Sequence, residues 1–271
     1  AVAKICSQFG DDYWLAKDKE GGFPFELHRA LADAGWLGIC IPEEYGGAGL
    51  GISDAALMMQ TISESGAGMS GASAVHMNIF GLSPVVIFGS DAQKRRMLPP
   101  LVAGTEKACF AVTEPNTGLN TTQLKTRAER HGDHYVINGA KVWISTAQVA
   151  EKMLILARTT PLEDVKNKTD GLSLFYTDLD RRFVEVREID KMGRKCVDSN
   201  QVFIDGLRVP VEDRIGEEGK GFKYILHGMN PERILIASEA IGLGKAALKR
   251  ATQYANERVV FDRPIGQNQG I

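Results

Sequence analysis

Residues 125–145 read KTRAERHGDHYVINGAKVWIS, and this stretch decides the fold class of the middle of the chain. Apolar and polar side chains alternate through Tyr135–Asn138 and Ala140–Ser145, with several β-branched residues, as is typical of half-buried strands. The dipeptide Asn138-Gly139 between them is a strong signal for a two-residue hairpin turn. The stretch therefore predicts paired strands with a turn at Asn138.

More strand-like runs follow toward the C-terminus, and turn residues separate them. These runs are Met153–Ala157, Leu172–Thr177, Phe183–Ile189 and Gln201–Ile204. Short strands at such spacing indicate an all-β unit. We therefore predict a small antiparallel β domain over residues 108–215.

Residues 1–107 are predicted to form a helical domain. Phe25–Ala34 and Ile52–Ser65 place apolar residues at helical spacing. Another capped helix is predicted from Ser90, with Pro99-Pro100 as its end.

Helical character returns after Gly219. Ile234–Tyr254 carries apolar residues at the 3.6-residue period, with Asn230 and Pro231 as a plausible start. The apolar face of this helix needs a cover, either from the N-terminal helices or from helices that follow residue 271. The order helices, strands, helices predicts an α+β multidomain chain, and residues 216–271 are the first part of its C-terminal helical domain.

Composition restricts the function classes. The chain has 271 residues, of which 44% are hydrophobic and 24% charged, as in an ordinary globular protein with a sizeable core. The net charge of −2 gives no electrostatic sign of nucleic-acid or membrane binding, and apolar runs such as Pro84–Phe88 are far too short to span a bilayer. The four cysteines are scattered, so we expect reduced thiols in an intracellular protein and no metal site.

Three glycine-rich stretches do not complete a nucleotide-binding motif. Gly46–Gly51 does not follow a strand, and Gly216–Gly221 lacks the spacing and the hydroxyl residue of a P-loop. Gly242 and Gly244 lie inside the predicted C-terminal helix. There we interpret them as residues that allow close packing between helices rather than as part of a nucleotide-binding motif.

Six segments together resemble the acyl-CoA dehydrogenase family. They occur in the family's order and are Pro42–Gly51, Phe88–Leu101, Ala111–Gly118, Lys125–Ala128, Ile137–Ser145 and Tyr254–Gly266. The resemblance covers essentially the whole chain. It implies an N-terminal helical domain, a middle β domain and a C-terminal four-helix domain that continues past Ile271, assembled as a homodimer or homotetramer.

The resemblance also implies a reaction. Family members oxidise an acyl-CoA thioester to the trans-2-enoyl-CoA in fatty acid β-oxidation. A glutamate takes the α-proton, N5 of FAD takes the β-hydride, and an electron-transfer flavoprotein is the expected acceptor. The expected location is the cytoplasm of a bacterium or the mitochondrial matrix of a eukaryote.

The family positions carry over to specific residues here. Glu232 matches one of two family positions for the base, the other lying beyond Ile271, and Arg233 matches a position near the active site. Positions that match FAD contacts are Phe110, Val112, Thr113, Gly118, Leu119, Trp143, Ile144 and Ser145, with Arg258, Phe261 and Gln269 reaching the FAD of a neighbouring subunit. Positions that match substrate contacts are His76, Leu119, Met229, Asn230 and Arg233.

Two departures from the family pattern bear on the substrate. Leu119 replaces a serine that often touches the cofactor or the CoA chain, and Asn120, Thr121 or Thr122 are the candidates to replace its hydrogen bond. His76, at a position near the pocket floor, is bulky and polar, which favours a short or functionalised acyl group.

Two other functions fit the same resemblance. One is an acyl-CoA oxidase or nitroalkane-oxidase-like enzyme that passes electrons to oxygen, which peroxide production would reveal. The other is a non-catalytic scaffold that binds acyl-CoA or flavin without a base.

Overall fold

The computed structural model describes all residues 1–271, and its first hundred residues are helical. The helices of this part are α1 (Val2–Cys6), α2 (Asp11–Glu20), α3 (Phe25–Asp33), α4 (Ile52–Ile62), α5 (Gly68–Phe80), α6 (Ser83–Phe88) and α7 (Asp91–Val102). A π-helical turn, Ser63–Ala67, joins α4 to α5. By length and composition Ile52–Phe88 could cross a membrane, but 78% of its apolar window is buried, so this is weak evidence for a span.

Proline does not end α7 as the sequence predicted. The helix passes through Pro99 and Pro100 and ends at Val102. The fixed φ of proline is compatible with a helix, and only the N–H bonds back to the preceding turn are lost. The carbonyls of Pro99 and Pro100 still accept from Ala103 N at 2.9 Å and from Thr105 N at 3.0 Å, so the last turn closes.

The middle of the chain is one eight-stranded sheet. Its strands are β1 (Ala108–Ala111), β2 (Arg127–His131), β3 (His134–Ser145), β4 (Lys152–Arg158), β5 (Leu172–Asp178), β6 (Val184–Glu188), β7 (Ser199–Pro210) and β8 (Arg214–Ile215). The order is β6-β7-β3-β2-β4-β5-β8, with β1 added beside β4. Most pairs are antiparallel as predicted, but β1 and β2 pair with β4 in parallel, so the sheet is mixed.

The predicted turn at Asn138-Gly139 is wrong. Strand β3 continues through both residues, and its pairing with β7 shifts register there at a β-bulge. The turn between β2 and β3 lies at Gly132–Asp133 instead. Glycine is needed at 139 for another reason, since a Cβ there would lie 2.4 Å from Thr126 Oγ1. Asn138 uses its side chain across the sheet, where Oδ1 accepts from Gly206 N at 2.8 Å.

The last long element is α8, Gly221–Glu257, a single helix of 37 residues. Its start at Gly221 agrees with the predicted return of helical character after Gly219, but Asn230 and Pro231, proposed as a start, lie inside the helix. The first turns are held by packing: Tyr224 and Ile225 are buried, and the Tyr224 ring lies 4.4 Å from that of Phe88. Two short strands follow, β9 (Val259–Val260) and β10 (Arg263–Pro264).

The core has two parts separated by the sheet. The helix-side part joins the N-terminal helices and the start of α8 to one face of the sheet, where Leu154 and Leu156 of β4 contribute. The opposite face, with Met153 and Ile155, packs a second cluster with residues of β3 and β7. Strand β4 is therefore buried on both faces. The predicted limits of the three domains, 1–107, 108–215 and 216–271, stay predictions.

The N-terminal helices cover only part of the apolar surface of α8. Leu235 and Ala246 are buried against them, but five large apolar side chains on the same helix remain between 45% and 69% exposed. These are Ile234, Ile241, Leu243, Leu248 and Tyr254.

Gly242 sets how closely α8 approaches α4. A Cβ at Gly242 would lie 2.3 Å from Gln60 O and 2.9 Å from Ser63 Cβ, whereas a Cβ at Gly244 meets nothing within 4 Å. We expect Gly242→Ala to lower the free energy of unfolding by about 1–3 kcal/mol, because backbone must move apart. Gly244→Ala is the matched control and should raise it by about 0.5–1 kcal/mol through helix propensity. Urea unfolding measures both; equal effects would contradict the close approach.

Candidate functional site

Two segments that the sequence assigned to the flavin lie side by side. Val142 N donates to Thr113 O at 3.0 Å, and Lys141 Nζ donates to Val112 O at 3.1 Å. The loop after β1 therefore runs along β3 at the place where the β3–β7 register shifts between Lys141 and Ile144. This contact builds one edge of the candidate site.

A buried ion pair fixes that edge. The Lys141 side chain is completely buried, and its Nζ lies 3.0 Å from Glu114 Oε1 and 2.8 Å from Leu156 O. The Glu114 carboxylate also accepts from the backbone N–H groups of Lys125, at 2.6 Å, and Thr126, at 2.9 Å. Burial lowers the pKa of Lys141 to about 8. Burial alone would raise the pKa of Glu114, but the Lys141 ammonium and the N–H donors outweigh it and lower that pKa.

Trp143 presents its indole at this edge. Its side chain is 62% exposed although both sequence neighbours, Val142 and Ile144, are buried. Its backbone lies in the left-handed region with φ +62°, as does that of Thr146 with φ +69°. Non-glycine residues are rare in this region, and they persist where the surrounding structure forces them, often at functional sites. An exposed indole on a bulge is a surface on which a flat ring system such as a flavin can pack.

Arg194 was not predicted and closes the site from the other side. It also has a left-handed backbone, with φ +57°. Its guanidinium donates to Ser73 Oγ at 3.1 Å and to Ser145 Oγ at 3.4 Å. The loop before β7 is thereby joined to α5 and to the end of β3, where Ser145 is half-buried.

Helix α5 forms the wall between the β domain and α8. The Phe80 ring lies 5.3 Å from that of Phe110 on β1 and 5.2 Å from that of His76. His76 is buried, and its Nδ1 lies 2.9 Å from Oε1 of Glu239 on α8. The predicted flavin contact Phe110 and the predicted substrate contact His76 are thus linked through one aromatic side chain.

Glu232 lies half-buried on α8 and forms no hydrogen bond within the chain. Burial raises its pKa, and the charge of Glu239 adds to this, whereas His76 and Arg233 oppose it. Arg233 is exposed, and its Nη1 donates to Asn230 Oδ1 at 2.6 Å. The structure therefore places a carboxylate of raised pKa on the helix that His76 contacts.

The loop that departs from the family pattern projects outward. Leu119 is fully exposed, and Gly118 is exposed with open space around it. Thr122 Oγ1 donates to Asn120 Oδ1 at 2.6 Å, so these two polar groups are already engaged with each other. Met229, by contrast, is half-buried and packs against the helix-side core.

Three predicted residues are not brought to this site. Arg258 lies 26 residues after Glu232, so about 39 Å of helix separates them at the usual rise per residue. Phe261 is 93% exposed and has a left-handed backbone, and Gln269 is exposed as well. Within one chain Arg258 therefore cannot share a site with Glu232.

Sequence reasoning missed four residues of the site, namely Glu114, Lys141, Arg194 and Glu239. A lysine in the middle of a strand pattern and a glutamate on an apolar helical face were visible signals, because both residue types are rarely buried without a partner. Glu239 also follows Glu232 by two helical turns and so falls on the same face. Nothing in the sequence marked Arg194.

Comparison with known proteins gives the same assignment along the whole chain. Family models match in order: the acyl-CoA dehydrogenase N-terminal domain at residues 1–105, the middle domain at 109–207 and the C-terminal domain at 219–271. Probable acyl-CoA dehydrogenase YngJ of Bacillus subtilis is 36% identical over 256 residues, which are 94% of this chain and 66% of that protein. Acyl-CoA dehydrogenase FadE12 of Mycobacterium bovis is 32% identical over the whole chain and 69% of its own length.

A solved structure agrees with these matches. Butyryl-CoA dehydrogenase from Megasphaera elsdenii superposes with a TM-score of 0.88 at 28% identity, covering 98% of this chain and 70% of that one. The chain thus spans about two thirds of the length of the proteins that it matches.

Proposed function

The chain belongs to the acyl-CoA dehydrogenase family, and on that premise we propose that the whole protein oxidises a saturated acyl-CoA to the trans-2-enoyl-CoA. The family is FAD-dependent. One observation carries the proposal: the two segments assigned to the flavin lie edge to edge at Val142 N and Thr113 O, beside an exposed Trp143 and close to the wall that leads to Glu232.

The residues at the edge suit a flavin. When bound, FAD supplies the acceptor for the hydride that leaves the β-carbon. In this proposal Trp143 packs against the ring, the Thr113 hydroxyl and the backbone beside it hydrogen-bond the polar edge, and Ser145 donates to the ring. Val112, Ile144, Phe110 and Gly118 shape the surface around it. Leu119, Met229 and Asn230 line the path of the CoA chain.

We assign Glu232 as the base that removes the α-proton. The carboxylate must be partly desolvated to be basic enough, and its burial raises its pKa in that direction. Arg233 next to it is exposed and bonded to Asn230, so we place it at the substrate rather than in the proton transfer.

The raised pKa predicts the acid limb of the pH profile. A base acts only when it is deprotonated, so kcat/KM should rise with pH through a pKa above the ordinary glutamate value of 4.5. The control is Glu232→Gln: the phosphomonoester of CoA also titrates, at about pH 6, so only a limb that this variant removes belongs to Glu232. A limb at or below pH 4.5, measured by stopped-flow flavin reduction, would contradict the assignment of a desolvated Glu232.

The distant residues support an assembled enzyme. Arg258, Phe261 and Gln269 are exposed, and Arg258 lies at the end of α8 far from Glu232, so we propose that they reach the FAD of a neighbouring subunit in a homodimer or homotetramer. A guanidinium suits the pyrophosphate there. We propose an electron-transfer flavoprotein as acceptor, and a bacterial cytoplasm or a mitochondrial matrix as location.

An anaerobic visible spectrum of the full-length protein tests the activity. Its flavin absorbance should bleach on addition of one or more saturated acyl-CoAs from a panel of increasing chain length. A flavin that no thioester bleaches would overturn the proposal. Admission of air after bleaching then separates the acceptors, because an oxidase would release peroxide in stoichiometric amounts and a dehydrogenase would not.

A further inference from the structure

A buried carboxylate at the pocket wall has only half of its hydrogen-bonding capacity filled. Glu239 is 0% exposed on the face of α8 that packs against α5. Its Oε1 meets His76 Nδ1 at 2.9 Å, but Oε2 has no partner in the protein. Carboxylates are almost never fully buried unless paired, and an apolar residue would serve helix packing better. The position therefore calls for a reason other than packing.

The pair fixes the orientation of the histidine. In this contact the Glu239 oxygen is the acceptor and His76 donates from Nδ1. The other ring nitrogen, Nε2, makes no hydrogen bond within the chain, and the His76 side chain keeps 11% of its exposure. Glu239 thus orients an imidazole whose Nε2 has no partner in the chain and can bind a ligand. In many proteins a carboxylate bound to one ring nitrogen sets the role of the other nitrogen in this way.

The imidazole lies between the proposed flavin edge and the helix of the proposed base. Its ring packs on Phe80, which packs on Phe110 beside the proposed flavin edge. On the other side, His76 contacts Glu239, which follows Glu232, the proposed base, by two helical turns on the same face of α8. A substrate placed between the flavin edge and Glu232 would therefore lie close to His76.

We propose that His76, held by Glu239, is a specificity-determining residue whose Nε2 accepts a hydrogen bond from a hydroxyl group on the acyl chain. The inference rests on the proposed function. An unsubstituted alkyl chain would cover Nε2 without forming a hydrogen bond to it. A polar site discriminates strongly against such an apolar analogue, because a buried polar atom is left without a partner. A second carboxylate on the acyl chain is disfavoured, because Glu232 and Glu239 would both repel it.

The test compares matched thioesters on the full-length protein. The probes are butanoyl-, hexanoyl- and octanoyl-CoA, each paired with the thioester that carries a hydroxyl on its terminal carbon. For each pair we measure the kcat/KM of the hydroxylated thioester divided by the kcat/KM of the unsubstituted one. For at least one pair we expect a ratio of about 10 or more, a conservative value for a site built to bind a hydroxyl. In His76→Phe, which keeps the aromatic ring, the ratio should fall by at least about tenfold, and Glu239→Gln should give a smaller fall because the amide still accepts from Nδ1.

Met77→Leu is the control, since Met77 is a buried apolar neighbour on the same helix and should leave the ratio unchanged. If His76→Phe does not fold, His76→Gln takes its place. A ratio at or below one for every pair, or a ratio that His76→Phe leaves unchanged, overturns the inference while the bleaching by unsubstituted thioesters still stands. No bleaching with any thioester instead overturns the proposed function.

Discussion

Glu232→Gln in the full-length protein should lower kcat for acyl-CoA oxidation by a factor of about 10²–10⁴, the usual contribution of a positioned general base. The amide keeps the size of the side chain but cannot accept the α-proton. Because glutamine is neutral, it also removes the cost of burying a charge, so the variant should fold and bind flavin normally. The measurement is flavin reduction under single-turnover conditions, which isolates the chemical step.

Glu257→Gln supplies the matched control. Glu257 is an exposed glutamate at the far end of the same helix, and its only side-chain partner is Gln253, at 2.8 Å. The same chemical change there should leave kcat unaltered. If Glu232→Gln retains near-normal turnover, Glu232 is not the base, and the family's alternative position beyond Ile271 takes the role.

Lys141→Met should be the most destabilising single change in the β domain, with a loss of about 3–5 kcal/mol in the free energy of unfolding. Methionine fills a similar volume, but the Glu114 carboxylate is left buried without its counter-charge, and the carbonyls of Val112 and Leu156 lose a donor. Because this pair holds the loop against β3, we expect FAD content to fall as well. Thermal unfolding and the ratio of flavin to protein absorbance measure the two effects.

Lys245→Met is the control for Lys141→Met. Its ammonium lies 3.6 Å from Glu64, but both side chains are about half exposed, at 50% and 45%. Such a surface pair contributes about 0–1 kcal/mol. The double variant Lys141→Met with Glu114→Gln should be more stable than Lys141→Met alone, because no unpaired charge remains. Equal losses for Lys141→Met and Lys245→Met would show that the buried pair has no special role.

The element types were predictable because hydrophobic periodicity is local. Strand runs such as Met153–Ala157 and helices such as Phe25–Asp33 appear where the pattern places them. Turns and ends were less predictable, since Asn138-Gly139 and Pro231 each carry a strong local signal that tertiary contacts override. Gly139 is needed for the approach of Thr126, and the first turns of α8 are held by the contact of Tyr224 with Phe88.

The candidate site was predictable only where the resemblance supplied positions. Trp143 and Thr113 do come to one edge, but that edge is held by Glu114 and Lys141, which are 27 residues apart. The neighbouring wall joins His76 to Glu239, which are 163 residues apart. No local window contains both members of such a pair. A buried charge can be suspected from its apolar neighbours in the sequence, but its partner has to be found in three dimensions.

The unbroken course of α8 limits how this segment can change during evolution. Glu232 is the proposed base, and Arg258 is proposed to contact the FAD of a neighbouring subunit. The number of residues between them therefore sets both their distance along the helix axis and the angle between their side chains around it. Deleting one residue would turn the far end by about 100° and draw it in by about 1.5 Å. Exchanges of side chain on the exposed surface are tolerated more easily than any insertion or deletion. Homologues that use both positions should therefore align through this segment without a gap.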